Sequence, residues 1–291
     1  ILKINTFGFQ FSELNFFLLV LATVFLAAGG YVINDYFDRK TDMVNRPDNV
    51  IVGRHINRRL AIILHTVFNI IGVALGFYIS IKIGLYQLGF ILLIITGVLW
   101  YYSTTYKRQF LIGNLIVSIL TAMVPLMVAL FEVPQLNKEY GEFMLKQGAN
   151  FNYIFGWVGA FAFFAFMLTL VREIVKDMED LEGDNAYGRN TLPIFLGIKT
   201  SKGITITLIG ITIASVVYLY FRYLNDTLSL IYFTVVLFIP LVIISIMLIK
   251  AGEKRHYHLA SLLTKAVMIG GLLYSFIAFY LFEITYNLNI F

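Results

Sequence analysis

The chain holds eight aspartates, and six of them fall in two copies of one spacing, Asp35-x2-Asp38-x3-Asp42 and Asp177-x2-Asp180-x3-Asp184. On a helix turning about 100° per residue, offsets of 0, 3 and 7 fall at about 0°, 300° and 340°, so each triplet would present its carboxylates on one face roughly 60° wide. Each triplet follows directly from an apolar run, in NDYFDRKTD and in REIVKDMEDLEGD, so run and triplet are expected to form one continuous helix. Carboxylates gathered at the edge of hydrocarbon repel one another, and each costs about 2.5–3.5 kcal/mol there. A cation must compensate. Hard divalent ions take oxygen ligands, and Mg²⁺ is commonly held by a few carboxylates together with phosphate oxygens of a substrate. The expected third party is therefore a phosphate or diphosphate. Arg39, Lys40, Arg46, Arg172 and Lys176 interleave with the carboxylates, and Lys107 and Arg108 stand between the two triplets, placed to neutralise a leaving phosphate. One triplet alone reads equally well as a solvated helix end; the repeat of its spacing favours a ligand cluster.

The elements that position these residues are apolar. Of the 291 residues 59% are hydrophobic and 13% charged, with a mean hydropathy of +0.81, which excludes a soluble globular domain. Runs long enough to cross a bilayer stand at 14–33, 60–80, 86–103, 111–131, 154–171, 203–221, 229–249 and 266–282. The expected architecture is all-α, a polytopic bundle of eight spans. Polar segments follow at 34–59, 172–202 and 250–265, with a further polar stretch at 132–153. If the spans cross in turn, 17 of the 22 Lys and Arg lie on the side of 34–59, 104–110, 172–202 and 250–265. Basic residues collect in cytoplasmic loops, so both triplets are expected on the cytoplasmic side of an integral, multi-pass membrane protein. The net charge of +5 suits an anionic membrane surface and is too small and dispersed for nucleic acid. Without cysteine there is no disulfide and no thiolate metal or redox site. There is no Ser-His-Asp arrangement and no P-loop string. His65, inside an apolar run, reads as a hydrogen-bonded core residue, and His256 and His258, in KRHYH, as an interfacial basic patch. Gly29, Gly30, Gly270 and Gly271 read as points of close helix packing.

The string NDYFDRKTDMVNRP resembles the first Asp-rich motif of the UbiA-type intramembrane prenyltransferases, N-D-x-x-D-x-x-x-D, and REIVKDMEDLEGD followed by TLP resembles the second. Tyr102 to Lys107 with Gly113-Asn114 is similar to their intervening Tyr/Lys segment, with five residues from Tyr102 to Lys107 where the family often has four. The resemblance implies a single transmembrane prenyltransferase domain over residues 1–291, belonging to a fold of nine helices around a lipid-facing cavity. One span precedes the first motif here, so the family's first helix is expected to lie outside these residues. It also implies two Mg²⁺ ions bridging a polyprenyl diphosphate. Asn34, Asp35, Asp38, Asp42, Asp177, Asp180 and Asp184 would hold the metal. Asn34, Arg39, Arg46, Tyr102, Lys107, Asn114, Arg172 and Lys176 would bind substrate, and Asp35, Asp38, Asp180, Asp184 and Lys107 would carry the catalysis. C–O ionisation would leave an allylic cation for an acceptor to attack, screened from water by apolar walls.

Within the family the motif N-D-Y-F-D-R-x-x-D-x-x-N-R-P is most similar to the branch that prenylates geranylgeranylglyceryl phosphate to make ether lipids, with geranylgeranyl diphosphate as donor. Homogentisate and chlorophyll-type enzymes share much of it, so an aromatic acceptor such as 4-hydroxybenzoate is the alternative. A glyceryl phosphate would bring a second anion, for which Arg46, Arg54, Arg58, Arg59 and Arg189 are candidate partners. Two other classes fit less well. A CDP-alcohol phosphotransferase would place Gly after its second Asp, and neither Asp38 nor Asp180 is followed by one. A divalent-cation or organic-anion transporter tends to carry broken helices and polar residues near the midplane, whereas the charge here lies at span ends.

Overall fold

A computed structural model describes residues 8–146, 148 and 150–286, with the side chains of 282–286 excepted. Among the described residues there is no strand, only an isolated bridge between Val52 and Ile56. The helices are α1 (Glu13–Asn45), α2 (Arg58–Lys82), α3 (Gln87–Thr104), α4 (Ile112–Lys146), α5 (Asn152–Glu179), α6 (Leu181–Ala186), α7 (Leu192–Leu196), α8 (Ile198–Leu219), α9 (Thr227–Tyr232), α10 (Ile239–Lys250) and α11 (Lys254–Tyr286). Among the described residues eight helical stretches are long and apolar enough to cross a membrane, and they coincide with the eight expected spans. The seventh runs through a π-helical segment at Phe233–Phe238 between α9 and α10, and π turns at Tyr220–Leu224 follow α8. Large apolar side chains such as Phe17, Ile63, Ile94, Phe221, Ile243 and Phe276 stand exposed, as lipid-facing positions require.

The chain divides into two compact units. The first comprises Phe9–Gly159 with Glu182–Thr191. Its core packs Leu19 and Leu26 of α1, Ile79 of α2, Leu88 and Leu92 of α3, and Met127 and Phe131 of α4 around Phe11. Ser12 caps α1 and Asn57 caps α2, each side chain accepting from a backbone N–H three residues on. Gly29 of α1 lies against the side chain of Asn69 and Gly30 against Leu99, so a Cβ at either would crowd its neighbour at 3.1 Å. The close approach expected of these glycines is met. His65 sits in the same contact, buried, with Nδ1 2.9 Å from the Gly29 carbonyl. The expected polar stretch at 132–153 is mostly helix, since α4 continues to Lys146. Glu132, at its start, is buried because its carboxylate accepts from the backbone N–H groups of Gln10 and Phe11 at 2.9 and 2.7 Å.

The second unit comprises Ala160–Leu181 and the chain from Leu192 on. Ile174, Ile209, Ile244 and Leu248 are fully buried within it. Tyr274 and Ser229 share a hydrogen bond of 2.7 Å, and the Tyr232 hydroxyl donates to the Gly270 carbonyl at 2.7 Å. Gly270 lies against Val236, whereas a Cβ at Gly271 would meet nothing within 4 Å among the described residues, so close packing is seen for one of the pair. The loop expected at 250–265 is mostly the first turns of α11, which begins at Lys254.

Candidate active site

In the first triplet the expectation of one continuous helix is met. Asp35, Asp38 and Asp42 all lie on α1, which runs without a break from the apolar span to Asn45. Asp38 is buried, and Asp35 and Asp42 are partly so. The second triplet departs from it. α5 ends at Glu179, Asp180 occupies a bend, and Asp184 lies on the separate short helix α6. One helix face therefore carries the first triplet only.

The break has a packing reason. Gly183 of α6 lies against the side chain of Asn45, where a Cβ would overlap the amide, and its N–H donates to Asn45 Oδ1 at 3.0 Å. The last turn of α1 is thus the platform on which α6 rests. α6 then ends in a Schellman turn. Gly188 has φ +64°, its N–H bonds the Asn185 carbonyl at 3.2 Å, and the Arg189 N–H bonds the Asp184 carbonyl at 2.9 Å. That reversal returns the chain toward α1. The following residue is pinned as well, since the Asn190 N–H donates to the Arg108 carbonyl at 2.9 Å.

Arg108 belongs to the 3₁₀ turn Tyr106–Arg108, which also carries Lys107. This turn packs on the start of α4 at Gly113, where a Cβ would come within 2.8 Å of the Lys107 Cα. The glycine of the Gly113-Asn114 pair is therefore a requirement of close approach, and Asn114 is buried beside it. Tyr102, on α3, is partly buried.

These elements bring one charged cluster together. Lys107 is 8% exposed, and its Nζ stands 2.7 Å from Asp38 Oδ1 and donates to Asn34 Oδ1 at 3.1 Å. Arg189 Nη2 pairs with the same Asp38 oxygen and donates to Thr41 Oγ1 at 3.1 Å, while Nη1 stands 3.1 Å from Asp184 Oδ1. Asp38 is 8% and Asp184 2% exposed, so both would be poor places for a charge without these partners. Burial pushes the Lys107 ammonium below its usual pKa despite the opposing pull of Asp38. Burial acts in the same sense on the Arg189 guanidinium, but Asp38 and Asp184 outweigh it and hold its pKa above the usual value.

Arg189, expected among the cations available to an anionic acceptor, joins Asp38 of the first motif to Asp184 of the second. The signal for this was local: a glycine turn followed by a cation, five residues after the last aspartate. Of the other acceptor candidates, Arg54 donates to the Pro47 carbonyl at 2.6 Å, and Arg58 donates to the Tyr36 hydroxyl at 2.7 Å and lies over its ring. Arg46 closes α1, its N–H bonding the Asp42 carbonyl at 2.7 Å. The Arg39 side chain lies against Gly53, whose positive φ marks a tight turn.

In the second unit Arg172 pairs with Glu173 at 2.7 Å, and Lys176 lies 3.9 Å from the same carboxylate. His258 does not stand in a merely basic patch, because its Nδ1 is 3.0 Å from Oε1 of the buried Glu179. Asp177 lies in the last turn of α5, and the Asp180 N–H bonds the Lys176 carbonyl at 2.8 Å.

Among the described residues no three His, Asp or Glu side chains stand close enough to hold an ion by themselves. The donor set nonetheless suits Mg²⁺. Buried Asp38 and Asp184 and half-buried Asn34 offer hard oxygens already bearing cations, and Mg²⁺ completes its shell with water and substrate phosphate. The arrangement can therefore bind a polyanion with its counter-ions.

A family model described as the UbiA prenyltransferase family matches residues 6–263. The digeranylgeranylglyceryl phosphate synthase of Methanothermobacter thermautotrophicus is 35% identical over 202 residues, which are 69% of this chain and 62% of that protein's length. A structure solved for digeranylgeranylglyceryl phosphate synthase in membranes is 25% identical and superposes with a TM-score of 0.58, covering 93% of this chain and 89% of that one. A UbiA homologue from Archaeoglobus fulgidus, bound to DMAPP and Mg²⁺, is 17% identical with a TM-score of 0.55 over 90% of this chain and 88% of its own.

Proposed function

The chain belongs to the UbiA prenyltransferase family, and on that premise we propose that it transfers a polyprenyl group from a polyprenyl diphosphate to a membrane-associated acceptor, geranylgeranylglyceryl phosphate in ether-lipid synthesis. The observation that carries this reading is the cluster of Asn34, Asp38 and Asp184 oxygens with Lys107, drawn from both Asp motifs and the loop between them. The relatives named as digeranylgeranylglyceryl phosphate synthases support the acceptor, and the donor we assign is geranylgeranyl diphosphate.

The residues of the two Asp motifs that would hold the two Mg²⁺ ions are Asn34, Asp35, Asp38, Asp42, Asp177, Asp180 and Asp184. When bound, the metal supplies Lewis-acid charge to the diphosphate. Lys107, already beside Asn34 and Asp38, would donate a charge-assisted hydrogen bond to a diphosphate oxygen as the C1–O bond breaks and its electron pair leaves with that oxygen. Arg172 and Lys176 would add positive charge, and Arg39, Arg46, Tyr102 and Asn114 would complete the substrate contacts. The acceptor hydroxyl oxygen then bonds to C1 and its O–H bond breaks, the proton passing to an oxygen of the departed diphosphate. Apolar spans keep water from that carbon, so the cation meets the acceptor first.

This is an integral, multi-pass membrane protein. The bias of Lys and Arg toward one set of loops supports a site on the cytoplasmic side. The test is incubation of purified protein with Mg²⁺, geranylgeranyl diphosphate, geranylgeranylglyceryl phosphate and a phenolic acid together, read by product mass. The ether product is expected. Prenylated phenol alone would overturn the acceptor and leave the transfer chemistry standing; no prenylated product of either kind would overturn the transfer itself.

A further inference from the structure

We propose that Arg189 is a tethered counter-cation that holds the two aspartate motifs together before metal and diphosphate arrive and must leave its carboxylates for the metal to bind. The inference rests on the reading of Asp38 and Asp184 as Mg²⁺ ligands. Its own basis is the geometry of one guanidinium. Nη2 takes Asp38 and Thr41, Nη1 takes Asp184, and the backbone N–H of the same residue takes the Asp184 carbonyl. Those two carboxylates come from positions 146 residues apart in the chain and are nearly inaccessible to solvent. Without an intervening cation they would repel in a place where water cannot screen them.

The tether matters as much as the charge. The Schellman turn at Gly188 fixes the backbone before Arg189, and the Asn190 bond to the Arg108 carbonyl fixes it after. The guanidinium can therefore leave the carboxylates by side-chain rotation while its backbone stays in place. An oxygen engaged by Arg189 is an oxygen the metal must compete for. By linkage, the strength of the Arg189 pairing is subtracted from the affinity of the empty site for metal, and metal binding weakens the pairing by the same factor. The arginine thus sets a threshold for loading, which a metal arriving with a diphosphate passes more easily than a metal alone.

Arginine suits this role because its planar fork spans two carboxylates at once, which a lysine ammonium does not. A purely structural arginine would predict the opposite sign, since its removal would disorder the ligands and weaken metal binding. The test uses the full chain in detergent, with Mn²⁺ as the probe followed by electron paramagnetic resonance in the absence of any prenyl diphosphate, and thermal unfolding in EDTA. Arg189→Gln is expected to bind Mn²⁺ about tenfold more tightly than wild type, equivalent to about 1.4 kcal/mol, and to unfold at a lower temperature in EDTA. Arg189→Lys, which keeps the charge and loses the fork, is expected to fall between the two and serves alone if the glutamine variant does not fold. Equal or weaker Mn²⁺ binding in the variants, beside a wild type that binds it, would overturn the counter-cation. A wild type that binds no Mn²⁺ and transfers prenyl groups in EDTA would overturn the metal reading beneath it.

Discussion

Lys107 and Arg189 both bear on Oδ1 of Asp38, so the two can be separated by what each leaves behind when removed. Lys107→Ala leaves Asp38 paired with Arg189, and the fold is expected to survive. What is lost is a charge-assisted contact to the diphosphate, and the apparent affinity for prenyl diphosphate should fall by about 1–3 kcal/mol. Steady-state kinetics with varied donor would check this, and an unchanged KM would return Lys107 to a topological role. Asp184→Asn keeps the size of a side chain that is 2% exposed while removing its charge. Transfer is expected to drop on the order of 10²-fold or more, as loss of metal-site support does, with insertion and helix content unchanged. Asp35→Ala should do the same, and EDTA should do it to the wild type. Full activity in the chelator would exclude the metal.

α6 owes its place to a glycine. Gly183→Ala would drive a methyl group into the Asn45 amide, so the buried Asn45 side chain must give up its bond to the Gly183 N–H or the short helix must shift on the end of α1. Overpacking of this kind costs about 1–3 kcal/mol. The expected result is a lower melting temperature together with weaker metal dependence of activity, because Asp184 and the Arg189 turn move with α6. The variant Asn45→Ala, made together with Gly183→Ala, opens the space and should recover part of the stability lost. At this scale the sequence was readable where periodicity governs. The 3.6-residue rule placed Asp35, Asp38 and Asp42 correctly because α1 is one helix. Applied to Asp177, Asp180 and Asp184 it failed, because a close backbone approach at Gly183 breaks the helix and no pattern within the segment announces the partner, Asn45, 138 residues earlier. Glu132 escaped for a like reason, since its partners are the N–H groups of Gln10 and Phe11, far away in the chain. For Arg189 the glycine turn and the cation after it are readable locally, but the pairing with Asp38, 151 residues away, is not. Lys107 was legible from its place in the loop between the motifs.

Eight spans and an uneven distribution of Lys and Arg make a statement about the whole chain that can be tested without reference to catalysis. If the spans cross in turn, Asn185 lies on the side of the aspartate motifs and Lys138, near the end of α4, on the other; both positions are exposed. The chain has no cysteine, so a single one introduced at either position is the only thiol that a maleimide can reach. In right-side-out cells a membrane-impermeant maleimide is expected to label Lys138→Cys and to leave Asn185→Cys untouched until the membrane is opened. Neither substitution removes a contact on which the charged cluster depends, so activity should persist and report that the labelled protein is folded. Seventeen basic residues on one side weigh heavily against the inverse orientation, because each resists transfer across an energised membrane. Labelling of Asn185→Cys from outside intact cells would reverse the orientation and place the diphosphate site away from the cytoplasm. Labelling of both positions from the same side would instead mean that α5, the one long helix between them, does not cross, and the count of eight would have to be revised.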